Sequence, residues 1–494
     1  MLFNSLNFLI FFPIVVLIYF IVPKKVKYIW LLIASYYFYM SWNAKYALLI
    51  LFSTVITYFS GLLIGRLSGV RQRKLVVAFS FLANLSVLGF YKYFDFFLHN
   101  LNKVLAAAHI RLIDNPFSFL LPVGISFYTF QALSYTMDVY RGKAVPEKNF
   151  LKYALFVSFF PQLVAGPIEK TENLLRQINE SCRKRMVSFD KFVSGFALML
   201  WGFFMKMVIA DRIAVFVDGV FAELYRMGTV ETVLAAVGFA IQIYGDFAGY
   251  SAIAIGAAKI MGFELTENFN APYFAESIGD FWHRWHISLS TWFRDYLYIP
   301  LGGNRKGKIR KYFNLMVTFS VSGLWHGAAW TFIIWGGIHG LYQVIGDLLK
   351  PVRKKVNDIM KVRTEVFSYK FGKIVTTFAL VDFAWIFFRA ESVEQLGLFL
   401  NRMFTRFNPW VLFNESLFSY GIDRREWGIL AAALLILFAV DLLRYKKNVN
   451  LGDFLIKQNL WFQYAVLLLL IVLVLVYGEY GINFDSNQFI YFQF

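Results

Sequence analysis

Long apolar stretches alternate with short charged segments along almost the whole chain. A helix that crosses a bilayer needs about 20 predominantly apolar residues, and most of these stretches approach that length. The pattern therefore predicts an all-α, polytopic transmembrane protein with about eleven to thirteen spans. The candidate spans cover residues 2–22, 28–44, 46–65, 75–98, 117–137, 192–210, 230–258, 312–345, 371–388, 427–443 and 458–478. The stretch 312–345 is long enough to form two helices that break near Gly327.

Two further segments are apolar but do not fit a simple crossing. Residues 153–168 form an uncharged run of 16 residues that contains Pro161 and Pro167, which favours a re-entrant or interfacial segment. Residues 277–299 carry too many charges for a helix that faces lipid, so we expect them to be buried in protein or to line a cavity. Their ionisable side chains are Asp280, His283, Arg284, His286, Arg294 and Asp295.

Composition and charge agree with a membrane protein. The chain is 59% hydrophobic and 16% charged, and its net charge is +18. Basic residues cluster in alternate loops, at residues 24–27, 66–74 and 141–152, so the positive-inside rule predicts an outside N-terminus. The same rule explains the net charge, and without a nucleic-acid motif we expect no nucleic-acid partner.

Both ends of the chain give further expectations. The first apolar stretch has neither a basic leader nor a cleavage site, which predicts a retained helix. We expect residues 1–494 to form one transmembrane domain, because the sequence contains neither an internal repeat nor a separate soluble region. Only Glu479 and Asp485 carry charge after the last span, so the tail at 479–494 is expected to be extracytoplasmic.

Metal and disulfide chemistry find little support in the sequence. Cys182 is the only cysteine, which excludes an internal disulfide and a cysteine-based metal cluster. Basic neighbours would favour its thiolate and a juxtamembrane cysteine can be acylated, but an incidental loop cysteine is the simpler explanation. A single HxxH pair, His283 and His286, is too small a ligand set for a membrane metal site, so no metal is expected.

Three histidines in apolar surroundings are the candidates for chemistry. An ionisable side chain at membrane depth is unfavourable unless it has a partner or lines a cavity. His326, in GLWHG, is the candidate catalytic base, and Gly327 beside it would let a ligand approach; a satisfied interhelical histidine is the alternative. His283 and His286 would share a helix face with Asp280, which could fix a histidine tautomer or instead pair with Arg284.

A glycine-rich turn and the chain end are two other candidate sites. Gly302, Gly303 and Asn304 precede Arg305, Lys306 and Lys308, whose charges suit the phosphates of coenzyme A or of lipid headgroups. A cytoplasmic connecting loop is the alternative. The uncharged end from Phe489 to Phe494 either docks into a cavity of its own protein or presents the Tyr491 hydroxyl as an acyl carrier.

Several motifs resemble one family. They are FWHRWHISLSTWFRDYLYIPLGGNR at 281–305, GLWHG at 323–327, QIYGDFAGYSAIAIG at 242–256, FFPQLVAGPI at 159–168 and the opening MLFNSLNFLIFFPIVVLIYF. Together they resemble the membrane-bound O-acyltransferase (MBOAT) family over nearly the whole length. The resemblance is to its bacterial branch of alginate O-acetylases, peptidoglycan O-acetyltransferases and teichoic acid D-alanyltransferases.

The resemblance implies roles for particular residues. The essential histidine of the family falls on His326 and its second motif histidine on His286, whereas the position of His283 is commonly arginine. The tail is similar to an F-x-Y-x-x-F motif whose tyrosine relays an acyl group in related D-alanylation systems, and Phe489, Tyr491 and Phe494 match it. Trp282, Trp285 and Trp325 either line the acyl path or pack in the membrane core.

The resemblance also implies an architecture and a reaction. It implies a ring of helices around a thinned centre with a channel, in the bacterial cytoplasmic (inner) membrane. With His326 as general base, a short acyl group, acetyl from acetyl-coenzyme A, would be transferred to Tyr491. An extracytoplasmic acyltransferase or esterase-like partner would then transfer it to a glycan. Acetyl-coenzyme A would be a substrate and not a permanently bound cofactor. D-alanyl transfer to teichoic acid and transport of a glycan or lipid intermediate are the alternatives.

Overall fold

The protein is helical throughout the part that the structure describes. The computed structural model describes residues 1–117, 121–183 and 187–480, and these residues form α-helices without a β-strand. This confirms the prediction of an all-α chain. The helices are α1 Leu6–Ile21, α2 Lys27–Met40, α3 Ala47–Arg66, α4 Val70–Ala107, α5 Ile125–Tyr140, α6 Phe150–Ser158, α7 Phe160–Leu163, α8 Thr171–Ser181, α9 Phe189–Phe203, α10 Asp211–Ala222, α11 Thr229–Ile260, α12 Ile278–Arg284, α13 Ile287–Phe293, α14 Gly307–His326, α15 Trp330–Leu348, α16 Lys350–Ile359, α17 Phe367–Arg389, α18 Val393–Thr405, α19 Arg424–Lys447, α20 Leu451–Leu455 and α21 Leu460–Tyr477. The short 3₁₀ segments are Lys24–Val26, Ala44–Tyr46, Pro272–Phe274, Pro409–Leu412 and Glu415–Ser419, and two π-helical segments are Phe204–Ala210 and Arg294–Tyr298.

Seven of the described helices are long and apolar enough to cross a membrane, and a bent pair could supply an eighth crossing. The bent pair is α15 and α16, which meet at 45°. The sequence pattern predicts eleven to thirteen spans because it also includes 2–22, 28–44 and 117–137. The corresponding helices α1, α2 and α5 have only 16, 14 and 16 residues, fewer than the roughly 20 of a straight crossing. The stretch 312–345 divides into α14 and α15 at Gly327, as predicted.

The chain divides into two compact units, and the first comprises Met1–Met199 and Ile253–Thr266. The segment 153–168 lies in this unit as two short, buried helices, α6 and α7. The break falls at Phe159, and Pro161 stands in the first turn of α7, where its missing N–H leaves no helical hydrogen bond unmade. Buried hydrogen bonds hold the segment: the Tyr153 hydroxyl bonds to Thr57 Oγ1 at 2.7 Å, and the Phe160 N–H donates to Ser35 Oγ at 3.1 Å. This segment does not form one continuous crossing helix.

The second unit comprises Leu200–Ala252 and Glu267–Phe494, described as far as residue 480. It contains the hairpin of α14 and α15. Two glycines allow the close approach, since a Cβ at Gly323 would overlap the Phe332 carbonyl and one at Gly336 the Phe319 carbonyl. The shape of the helix pair therefore requires glycine on both sides.

A buried ion cluster lies beside the π-helical segment Phe204–Ala210 in the same unit. Lys206 Nζ is 2.7 Å from Asp211 Oδ1 and 2.6 Å from Asp246 Oδ1, and each of the three side chains is 3% exposed. Buried charges persist only where they have partners, so these three residues depend on one another. Asp246 belongs to the QIYGDFAGYS motif, which thus contributes to the interior of this unit.

Candidate active site

His286 and His326 come together in the second unit, although 40 positions separate them in the sequence. Their ring centroids are 6.4 Å apart and their planes are inclined by 63°. His286 is fully buried and His326 is 6% exposed. His326 is the last residue of α14, so the break of the hairpin at Gly327 determines where its imidazole lies.

His286 occupies a strained position between two short helices. Helix α12 ends at Arg284, Trp285 is extended, and His286 adopts the left-handed region with φ 42° and ψ 54° before α13 begins. The prediction that Asp280, His283 and His286 share one helix face is therefore wrong. Backbone pairing with residues 268–270 ends the helix: the Asn270 N–H donates to the Arg284 carbonyl, and the Ile287 N–H donates to the Asn268 carbonyl.

Asn268 determines which nitrogen of His286 carries the proton. Asn268 Oδ1 lies 3.3 Å from His286 Nδ1 and also accepts hydrogen bonds from Ser288 N at 3.1 Å and Ser288 Oγ at 2.7 Å. Its Nδ2 donates to Ser251 Oγ at 3.3 Å, which fixes the orientation of the amide. Because an amide oxygen only accepts, Nδ1 of His286 is the donor and Nε2 keeps its lone pair. Burial lowers the pKa of His286 to about 3, which maintains the neutral imidazole.

Aromatic rings surround His326. Its ring centroid is 5.0 Å from that of Trp325, 5.2 Å from that of Trp335 and 5.3 Å from that of Phe388. The Phe332 ring occupies the space beside Gly327, since a Cβ on Gly327 would overlap that ring. The expectation that this glycine leaves room for a ligand is therefore wrong, and the glycine instead allows Phe332 to pack.

His283 lies apart from the pair. It is exposed, and its Nδ1 is 2.6 Å from the Gly279 carbonyl, to which it donates. Asp280 forms an ion pair with Arg284 at 2.9 Å, which is the alternative that the spacing allowed. The structure thus separates the two histidines of the HxxH pair.

The three tryptophans are all buried but have different neighbours. Trp325 lies 6.2 Å from His286 between ring centroids, so it adjoins both histidines of the site. Trp282 donates a hydrogen bond to His339 Nδ1 at 3.3 Å. Trp285 packs against other aromatic rings, with Trp385 at 5.0 Å. A role in lining the acyl path stays a prediction for each of them.

The other predicted site residues lie elsewhere. Arg305, Lys306 and Lys308 are exposed at the start of α14, and His326 is at its end. A helix of that length extends about 30 Å, so the basic turn and the histidine pair lie at opposite ends of it. Tyr491, with Phe489 and Phe494, lies outside the described residues.

Two functional candidates emerge only from the structure. Asn268 contacts His286 from 18 positions away, and nothing in its sequence neighbourhood indicates that contact. His339 is fully buried beside Trp282 and Trp335. A histidine within the apolar run GGIHG was the available signal for it.

The fold and this site define a multi-pass membrane protein with two buried imidazoles close together. The model of MBOAT, the membrane-bound O-acyltransferase family, matches residues 146–379. The chain belongs to this family and is a membrane O-acyltransferase, which sets aside the transporter alternative.

Curated relatives agree with this assignment. The chain is 40% identical to a "probable alginate O-acetylase" of Pseudomonas aeruginosa over 88% of this chain and 81% of the relative. It is 36% identical to a peptidoglycan O-acetyltransferase of Helicobacter pylori, over 80% of this chain and 78% of the relative. It is 28% identical to a teichoic acid D-alanyltransferase of Bacillus subtilis, over 56% of this chain and 70% of the relative.

Proposed function

We propose that this O-acyltransferase moves an acetyl group from acetyl-coenzyme A on the cytoplasmic side toward hydroxyls of an exported or cell-surface polysaccharide. The observation that carries the proposal is the 6.4 Å distance between the ring centroids of His286 and His326, which are buried among aromatic side chains. The names of the alginate and peptidoglycan O-acetylating relatives support acetyl as the group. The bacterial cytoplasmic membrane is the location that this reaction requires.

The proposed step is an acyl transfer with His326 as general base. Its imidazole takes the proton of an attacking hydroxyl while that oxygen bonds to the thioester carbonyl carbon. The carbon–sulfur bond breaks, coenzyme A leaves as thiolate, and the proton returns to the sulfur. His286, whose Nδ1 donates to Asn268 Oδ1, assists as a second proton acceptor. A positioned base contributes about 10²- to 10⁴-fold to such a step.

Tyr491 is the proposed first acceptor. Hydrogen bonds hold the residues at which the C-terminal tail begins, which supports a fixed point of attachment for the tail. Arg212 Nη2 donates to the Tyr477 carbonyl at 2.9 Å and to Glu479 Oε1 at 2.6 Å. The Glu479 N–H donates to the Met207 carbonyl at 2.9 Å. An extracytoplasmic acyltransferase or esterase-like partner would then carry the group to the glycan.

Isotopically labelled acetyl-coenzyme A tests the proposal on the purified protein in lipid nanodiscs. Mass spectrometry of the C-terminal peptide is expected to find label on the wild type and on His283→Ala, the control for a histidine outside the pair. His326→Gln is expected to lower the labelling rate by about 10²- to 10⁴-fold, and Tyr491→Phe to abolish labelling of the peptide.

Two results would contradict the proposal. Equal rates for His326→Gln and the wild type would exclude His326 as the base. Labelling from a D-alanyl carrier protein but not from acetyl-coenzyme A would replace acetyl by D-alanyl, which the teichoic acid relative makes the second candidate.

A further inference from the structure

Helix α16 carries an apolar ridge that faces away from the described protein. Its ridge residues Val352, Val356 and Ile359 are 54%, 45% and 70% exposed. Leu349 before the helix and Met360 after it extend the ridge and are also exposed. At 100° per residue these five positions fall within an arc of about 100°, the width of a helix face that normally packs against something.

The remainder of α16 is strongly basic. Lys350, Arg353, Lys354 and Lys355 are all exposed, and Asp358 is the acidic residue of the helix. Four positive charges and one negative charge leave +3 on ten residues. An exposed apolar ridge beside a basic face is the pattern of helices that lie in a membrane interface.

The position of α16 in the chain favours that location. It begins directly after α15, with which it makes an angle of 45°. Asp347, near the end of α15, accepts hydrogen bonds from Lys311 at 2.8 Å and from Tyr312 at 3.0 Å. The basic turn at residues 305–310 is therefore at the same end of the hairpin, which concentrates positive charge there.

We propose that α16 lies in the bilayer surface, with its ridge at the boundary of headgroups and acyl chains and its basic face on anionic phospholipid headgroups. Charge decides the occupant, because a +3 helix matches the negative potential of an anionic leaflet. A covering protein segment would have to bury or neutralise these cations, whereas at a lipid surface they stay hydrated at the headgroup level. The inference is independent of the acyl group that the enzyme transfers.

Site-directed spin labelling tests the depth of the helix in the full-length protein. Cys182→Ser gives a cysteine-free background, since Cys182 is the only cysteine. Nitroxide labels are placed on the ridge at Val352→Cys and Val356→Cys, and opposite the ridge at Lys354→Cys and Asp358→Cys. In nanodiscs of phosphatidylcholine with phosphatidylglycerol, ridge labels are expected to be several-fold more accessible to oxygen than to a water-soluble nickel complex. Labels opposite the ridge are expected to have the reverse preference.

Lipid charge is tested by removing the four cations. With the native cations, the Val356→Cys label is expected to lie deeper in anionic than in zwitterionic nanodiscs. This difference in depth is expected to disappear in the variant that combines Lys350→Gln, Arg353→Gln, Lys354→Gln and Lys355→Gln. A matched control removes four exposed basic residues of other loops and is expected to keep that difference. The control substitutions are Lys24→Gln, Lys25→Gln, Arg71→Gln and Lys74→Gln. Equal nickel accessibility at ridge and opposite sites would overturn the interfacial position, and identical depth in both lipids for the unaltered helix would overturn the anionic preference.

Discussion

Replacing Asn268 with aspartate tests whether the hydrogen bond to His286 matters for catalysis. The change keeps the shape of the side chain and an oxygen acceptor for Nδ1 of His286, which is 3.3 Å away. It adds a negative charge at that distance, and an opposite charge within about 4–6 Å favours the protonated imidazole. The pKa of His286, which burial lowers to about 3, must therefore rise.

The direction in which pH affects the activity follows from the raised pKa of His286. In the wild type His286 stays neutral across the working pH range, so its protonation does not limit activity. In Asn268→Asp the imidazole becomes protonated at a higher pH, and activity should fall on the acid side while it recovers at alkaline pH. We expect the acid limb attributable to His286 to move up by about one to three pH units.

Removing the acceptor altogether gives a different signature. Asn268→Ala leaves His286 Nδ1 and the Ser288 hydroxyl without this buried partner, a loss that costs about 1–3 kcal/mol. If that free energy falls on the transition state, the rate decreases roughly 5- to 150-fold, with no shift of the pH profile toward alkaline values.

The assay is the rate of labelled acetyl transfer as a function of pH, with folding checked by size-exclusion chromatography in detergent. Asn270→Asp is the matched control: it introduces the same carboxylate two positions away, where the side chain bonds to Asn448. An unshifted acid limb in folded Asn268→Asp, or full activity in Asn268→Ala, would refute a positioning role for Asn268.

Two further predictions concern stability and use matched variants. Lys206→Met leaves two buried carboxylates without their cation and should cost about 3–5 kcal/mol of stability in unfolding measurements in micelles. The double variant Lys206→Met with Asp246→Asn should regain part of that loss, and an equal or larger loss would contradict the pairing. Gly323→Ala should lower the melting temperature, because its Cβ overlaps the Phe332 carbonyl, whereas Gly337→Ala on the same hairpin has no neighbour within 4 Å. Similar melting temperatures for both alanine variants would contradict the close helix approach.

Much of the helical architecture follows from local features of the sequence. The lengths of apolar runs predict α3, α11, α17, α19 and α21. The thickness of the hydrocarbon core sets both the length of the apolar run and the length of the helix that crosses it. Proline and glycine predict the breaks near Pro161 and Gly327, because both act on the backbone at the residue itself. The lengths of α1, α2 and α5 do not follow from the sequence, since an apolar run does not determine how much of it becomes helical.

The two histidines of the candidate site could be predicted from the sequence, but their geometry and their neighbour Asn268 could not. His326 and His286 follow from polar groups in apolar motifs and from the family resemblance. The contact of Asn268 with His286 depends on backbone pairing between residues 268–270 and 284–287, and no periodic pattern encodes such a pairing. The residues DFWHRWH in isolation favour one continuous helix, and tertiary hydrogen bonds end that helix at Arg284.

The interruption of that helix explains why two histidines three positions apart have such different environments. In a continuous helix His283 and His286 would lie on neighbouring parts of one face and share its exposure. The extended Trp285 and the left-handed His286 instead bury the second imidazole completely and leave the first in solvent. The conformation of His286 is uncommon for a residue with a side chain, and Asn268 maintains it by two hydrogen bonds. Its Oδ1 accepts from His286 Nδ1, and its backbone carbonyl accepts from the Ile287 N–H. The strain at His286 and its contact with Asn268 are therefore two aspects of one arrangement, which holds the imidazole of His286 with its ring centroid 6.4 Å from that of His326.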